Sequence, residues 1–172
     1  YLAAYFAKYP NVWTHGDWIT VFPDGASVIT GRSDATLNRH GVRMGTAELY
    51  RAVEALPEVL DSLVVDLEYL GRESWMPLFV VLREGVVLDD ALRARMNAAI
   101  RSALSPRHVP NEIVQVAAIP RTLSGKKMEL PVKKLLMGAA PEQVLKRDAM
   151  AHADCVDWFV DFARRRACNP SA

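Results

Sequence analysis

Two short runs near the start of the chain, Trp18–Phe22 (WITVF) and Ser27–Gly31 (SVITG), are rich in β-branched and aromatic residues. They flank Pro23-Asp24-Gly25-Ala26, a turn sequence, so the pattern predicts a β-hairpin. Residues 31–45 (GRSDATLNRHGVRMG) are polar and punctuated by glycine, with isolated apolar positions at Leu37, Val42 and Met44. Beyond them Leu49, Val53 and Leu56 recur at helical spacing, with Thr46 placed to cap the helix and Pro57 to close it. Residues 59–67 (VLDSLVVDL) and 75–83 (WMPLFVVLR) read as buried strands with Gly71 in the turn between them. Pro77 implies that the second strand is entered late or lies at an edge.

The helical period returns from Asp89 or Asp90, with Leu92, Met96, Ala99, Ile100 and Ala103 on one face, and stops before Ser105-Pro106. A short strand over residues 112–119 (EIVQVAAI) follows, then a loop, then a helix from Pro131 to about Leu136. The last amphipathic helix, within residues 154–166, turns Cys155, Trp158, Phe159 and Phe162 inward. Three strands interleaved with helices predict a small α+β domain after the hairpin, with a boundary near Gly31–Asp34.

Composition narrows the classes. With 51% apolar and 24% charged residues, 172 residues suit one globular domain with a real core. The net charge of +1 gives no electrostatic case for nucleic acid or a membrane surface, and no apolar run approaches a membrane span. The opening YLAAYFAKYP has no initiator Met and no signal-peptide pattern, and reads as the interior of a longer chain. Cys155 and Cys168 lack metal-ligand spacing and read as inert thiols in a reducing cytoplasm.

The candidate chemistry is cationic and carboxylate. In IPRTLSGKKMELPVKK (Ile119–Lys134), Ser124-Gly125 allows a sharp turn that ends in Lys126. An ammonium on such a loop either delivers a positive charge to phosphate or carboxylate oxygens or is simply solvated. Phosphate-loop spacing is absent. Lys127, Lys133 and Lys134 read as a solvated helix face. Asp17, in HGDW, is either an acceptor for a sugar diol or a turn cap, and His15 reads as structural, without a catalytic partner. In GRSD, Arg32 suits a phosphate or ribose and Asp34 a pair or cap. Arg43, between Gly41 and Gly45, stands where the backbone allows close approach to a ligand, or merely turns. Arg164–Arg166 complement a helix C-terminus.

Taken in order, these stretches resemble the motifs of the adenylate-forming acyl-CoA ligase superfamily. HGDW is similar to its Gly-Asp motif, GRSDATLNRHGVRMGTAEL to its hinge motif with the following Gly-x-Arg loop, and PRTLSGKK to its terminal Ser-Gly-Lys motif. GRSDATLN, SPRHVP, SGKKMELPVKK and the ending DWFVDFARR resemble the acetoacetate–CoA ligase group within it. The resemblance implies three parts: residues 1–33 as the edge of a large adenylation domain, 34–140 as a mobile C-terminal domain, and 141–172 as a helical extension. It implies a two-step ligase. ATP and acetoacetate, or a similar short carboxylic acid, would give an acyl-adenylate and pyrophosphate, and the CoA thiol would then displace AMP.

By the same resemblance Lys126 is the catalytic lysine of adenylation, Asp17, Arg32 and Arg43 bind ATP and AMP, and Asp34 is the hinge. Gly41 lines the path of CoA, and Arg101 lies near its nucleotide. His40 stands where the family usually carries a smaller residue. ATP and CoA are expected as substrates, with Mg2+ accompanying ATP and no metal ligand from this chain. The phosphate loop and the acyl pocket are not in the sequence, so a large adenylation domain is the expected partner and the chain is expected to be inactive alone. The rival expectations are a stand-alone regulatory module acylated at Lys126, an inert remnant, or a ligase for acetate or another short acid.

Overall fold

The computed structural model describes residues 2–7, 9–33, 37–39, 42–68 and 74–168. Asp34, His40 and Gly41 lie outside the described residues. The chain opens with one helical turn, α1 (Leu2–Tyr5), and Trp13 stacks on Tyr5 with ring centroids 4.3 Å apart. The predicted hairpin follows as β1 (Asp17–Val21) and β2 (Ser27–Arg32). Its turn is closed by the Gly25 amide on the Phe22 carbonyl at 2.9 Å, with Gly25 at φ +84°, a conformation glycine tolerates. A second, smaller antiparallel pair, β3 (Leu37–Arg39) and β4 (Val42–Met44), brings Leu37 opposite Met44, and both are buried.

Helix α2 (Thr46–Glu54) buries Leu49 and Val53, as the period predicts, and Tyr50 as well; Leu56 falls beyond its end and is partly buried. Thr46 does not cap it. The extended residue before the helix is Gly45, Thr46 is buried in the first turn, and no side chain caps that end. The main sheet has the order β5 (Val59–Val64), β6 (Pro77–Leu82), β7 (Glu112–Gln115). Strands β5 and β6 are antiparallel; β6 and β7 are parallel, joined through α3 (Asp90–Ala103). Pro77 is the first residue of the central strand, so the late entry holds and the edge placement does not. A first-position proline interrupts no ladder bond further along the strand. The Asp89 carboxylate caps α3 by accepting the Leu92 amide at 2.7 Å.

Alternation along β6 divides the interior in two. Leu78 and Val80 face one core with Leu49, Val53, Met96 and Ile100, whereas Phe79 faces another with Leu63, Ile119 and Val132. The second core is built by β8 (Arg121–Thr122), α4 (Glu129–Leu136), α5 (Pro141–Val144), β9 (Met150–Ala151) and α6 (Cys155–Cys168). Helix α4 starts two residues before Pro131, which therefore sits in its first turn. In α6, Phe159 is buried and meets Phe79 edge-on at 5.0 Å, while Trp158 and Phe162 flank the same ring. Leu145, Met150 and Val156 share that core with Leu63, so residues 141–168 complete the interior.

Candidate active site

The turn that carries Lys126 is built by its own motif residues. Gly125 has φ +81°, and its amide donates to the Thr122 carbonyl at 2.8 Å. The Thr122 hydroxyl lies 2.9 Å from that of Ser124 and accepts the Lys126 amide at 3.1 Å. The Thr122 amide in turn donates to the Lys126 carbonyl at 2.9 Å. Thr, Ser and Gly in Pro-x-Thr-x-Ser-Gly-Lys are thus the turn chemistry itself. The Lys126 side chain is exposed, and among the described residues its ammonium has no hydrogen-bond or ion-pair partner.

The stems of this turn are tied on two sides. On the outer side β8 pairs with β9, Thr122 opposite Met150, and the Leu123 amide donates to the Ala149 carbonyl at 3.1 Å. On the inner side Lys127 runs inward, only 14% exposed. Its ammonium meets Glu54 Oε1 at 2.6 Å, the Ser62 carbonyl at 2.6 Å and Asp61 Oδ1 at 3.1 Å, above the Tyr50 ring. This corrects the expectation of a solvated Lys127. Residues alternate sides on an extended stem, so an inward Lys127 accompanies an outward Lys126.

Arg121 forks onto Asp61, with Nε 3.0 Å from Oδ2 and Nη2 2.8 Å from Oδ1, and its Nη1 donates to the Gly125 carbonyl at 2.5 Å. Burial acts to raise the Asp61 carboxyl, but Arg121 and Lys127 more than offset it and hold it below the ordinary carboxylate range. The Tyr50 hydroxyl, buried, donates to Glu129 at 2.6 Å and accepts the Val64 amide at 3.2 Å. Burial first, then the Glu129 carboxylate, pushes it well above the usual phenol range.

Asp17 and Arg32 are register partners across the hairpin. His15 is not partnerless: its Nδ1 lies 2.5 Å from Asp17 Oδ2, across Gly16, whose φ of +88° turns the backbone just before β1. Arg43 is on β4 opposite Asn38, and Arg101 is exposed in the last turn of α3. Lys126 belongs to a different set of elements from Asp17 and Arg32, with the β8 turn set on α2 and β5. Glu54, Asp61 and Arg121 were not singled out by the sequence, in which Lys127 reads as solvated. The available signal was Asp61, a charge inside the apolar run of β5, together with the doubled lysine. A β-bulge between Val59 and Asp61 shifts the register there.

Among the described residues no helix is long and apolar enough to cross a membrane. Residues 50–126 match the family model of the AMP-binding enzyme C-terminal domain. The chain is 46% identical over 159 residues to an acetoacetyl-coenzyme A synthetase of Rhizobium meliloti, covering 92% of this chain and 24% of that protein. It is 44% identical over 162 residues to an acetoacetyl-CoA synthetase of Macaca fascicularis, covering 94% of this chain and 24% of that one. Among solved structures, the acetoacetyl-CoA synthetase from Streptomyces lividans superposes with a TM-score of 0.88 at 50% identity, over 96% of this chain and 25% of that chain. The chain thus spans about a quarter of the length of the curated relatives it matches.

Proposed function

We propose, from the match of residues 50–126 to the AMP-binding enzyme C-terminal domain and the 46–50% identity to acetoacetyl-CoA synthetases over most of this chain, that it is the lysine-bearing part of an acetoacetate–CoA ligase. In the first step a carboxylate oxygen of acetoacetate attacks the α-phosphorus of ATP, forming the acyl-adenylate and releasing pyrophosphate. In the second, the CoA sulfur attacks the acyl carbon and AMP leaves. The observation that carries this reading is the contrast between neighbours: Lys127 is held by carboxylates, whereas Lys126 projects from a turn fixed through its backbone with no partner among the described residues. A free ammonium on an ordered turn is suited to bridging the substrate carboxylate and the α-phosphate as charge gathers between them.

On this reading Asp17 accepts from the ribose hydroxyls with Arg32 beside it, and Arg43 meets the phosphates. Asp34 is the hinge, and Gly41 and Arg101 lie along the CoA path. ATP would carry Mg2+ as its counter-ion. Among the described residues no three His, Cys, Asp or Glu side chains are grouped to hold a metal. The phosphate loop and acid pocket belong to a large adenylation domain outside this sequence, of which residues 1–33 would be the edge. Residues 34–140 would move between the two steps and 141–172 extend that unit. The proposed compartment is the cytoplasm, in keeping with the free Cys155 thiol.

The test is acetoacetate-dependent ATP–pyrophosphate exchange with this chain alone, with a separately produced large domain, and with both. Exchange should appear only in the mixture and fall about 10²–10³-fold with Lys126→Ala. Exchange from this chain alone, or a mixture indifferent to Lys126→Ala, would overturn the reading. Acetate in place of acetoacetate tests the acid.

A further inference from the structure

The peptide joining Gly125 to Lys126 is held at both poles. Its carbonyl oxygen accepts from Arg121 Nη1 at 2.5 Å, and its amide donates to the Thr122 hydroxyl at 3.1 Å. The same guanidinium forks onto Asp61, and the Lys127 ammonium reaches the same carboxylate at 3.1 Å. Both stems of the turn, one residue on each side of the tip, therefore converge on a single side chain of β5. Lys127 also donates to Glu54 and to the Ser62 carbonyl at 2.6 Å each, so its ammonium is hydrogen-bonded twice and ion-paired with Asp61.

We propose that Arg121 and Lys127 are positioning residues that fix the presentation of Lys126 by tying both stems of its turn to Asp61. Asp61 is the shared anchor, and Glu54 selects which of the two adjacent lysines turns inward. The mechanical part stands on the geometry alone, while its catalytic consequence rests on the function proposed above. An ammonium on a four-carbon stem has many rotamers, so its delivery depends on a fixed backbone beneath it. A displacement of ~1 Å at a reacting group is enough to lose about 10²-fold in rate.

The first experiment uses the 172-residue chain and reads amide hydrogen exchange residue by residue. Asp61→Asn keeps the side-chain shape and removes the charge. Arg121→Lys keeps the charge and removes the fork that spans Asp61 and the Gly125 carbonyl. Each should accelerate exchange at Gly125 and Lys126 by about tenfold or more, with the Phe79 and Val80 amides of the central strand within about twofold of the parent. Unchanged Gly125 and Lys126 amides, or acceleration shared equally by Phe79 and Val80, would overturn the clamp; the second pattern marks a general loss of stability.

The second experiment uses the mixture that supports pyrophosphate exchange. Arg121→Lys should lower kcat for adenylation about 10–10²-fold while KM for ATP and acid stays within about twofold. Thioester formation from pre-made acyl-adenylate should keep its rate. Equal losses in both half-reactions would overturn the positioning role. Should Lys126→Ala itself prove harmless, the catalytic reading falls and the amide exchange still decides the clamp.

Discussion

The hairpin β1–β2 and the sheet β5–β6–β7 are made of similar residues and end in opposite environments. In the sheet Leu78, Phe79 and Val80 are fully buried, alternate residues serving separate cores. In the hairpin Ile19 is 58% exposed and Ile29, its register partner, 64% exposed, with Trp18, Val21 and Phe22 also open to solvent. Apolar residues on both faces of a strand mark one built to be covered twice, and such a contiguous exposed set marks an interaction surface. The comparison teaches that a strand's composition reports how much cover it needs, whereas only the surrounding chain decides whether it is covered. It fits the proposed division of labour, in which the hairpin is the margin of a larger unit and the sheet carries its own cores.

Removing apolar bulk on each side is the strongest way to break this comparison. Phe79→Ala should cost about 3–5 kcal/mol in urea unfolding, because the ring fills a site ringed by Trp158, Phe159 and Phe162. A loss below about 1 kcal/mol would mean that α6 does not close that core, since the transfer of a buried ring alone exceeds it.

A pH titration sharpens it at the next level. The Asp61 carboxyl lies below its ordinary range in the folded chain, so its ionised form contributes stability above an unfolded value of about 4. That contribution should fade as pH falls through the depressed native value. Asp61→Asn should flatten this part of the acid limb of a stability–pH curve and leave its neutral limb parallel to the parent. An acid limb of unchanged steepness would show that the Arg121–Asp61–Lys127 contacts do not stabilise the fold.

The smallest effect is expected in the hairpin. Ile29→Thr keeps the β-branched shape and should change the unfolding free energy of this chain by no more than about 0.5 kcal/mol, since Ile29 is already hydrated. In a mixture with the large domain the same change should weaken association. A substantial loss in the isolated chain would mean that the hairpin is covered in solution, for instance by a second copy.

Much of the fold was legible because it rests on local rules. The period of α2 and α3, the helix start at Asp89 or Asp90, the Pro-Asp-Gly turn and the long apolar stretches of β5 and β6 each predicted an element that formed. The misreadings were local alternatives settled by packing. Thr46 has the side chain of a cap, yet burial against the core put it inside α2 and left Gly45 at the extended position. His15 found its carboxylate two residues away, a contact that depends on the positive φ of Gly16 between them.

By itself the sequence determined that a Ser-Gly turn presents lysine, since positive φ at Gly125 and the Thr122 and Ser124 hydroxyls act within five residues. It also carried the ordered motifs that point to the family. Which lysine is presented was decided by the tertiary structure. Glu54 and Asp61 lie far along the chain from Arg121 and Lys127, and the two pairs meet only once α2, β5 and β8 have packed. Adjacent lysines are chemically identical in sequence; a partly desolvated pair of carboxylates captures one and, through the alternation of the stem, turns the other toward solvent.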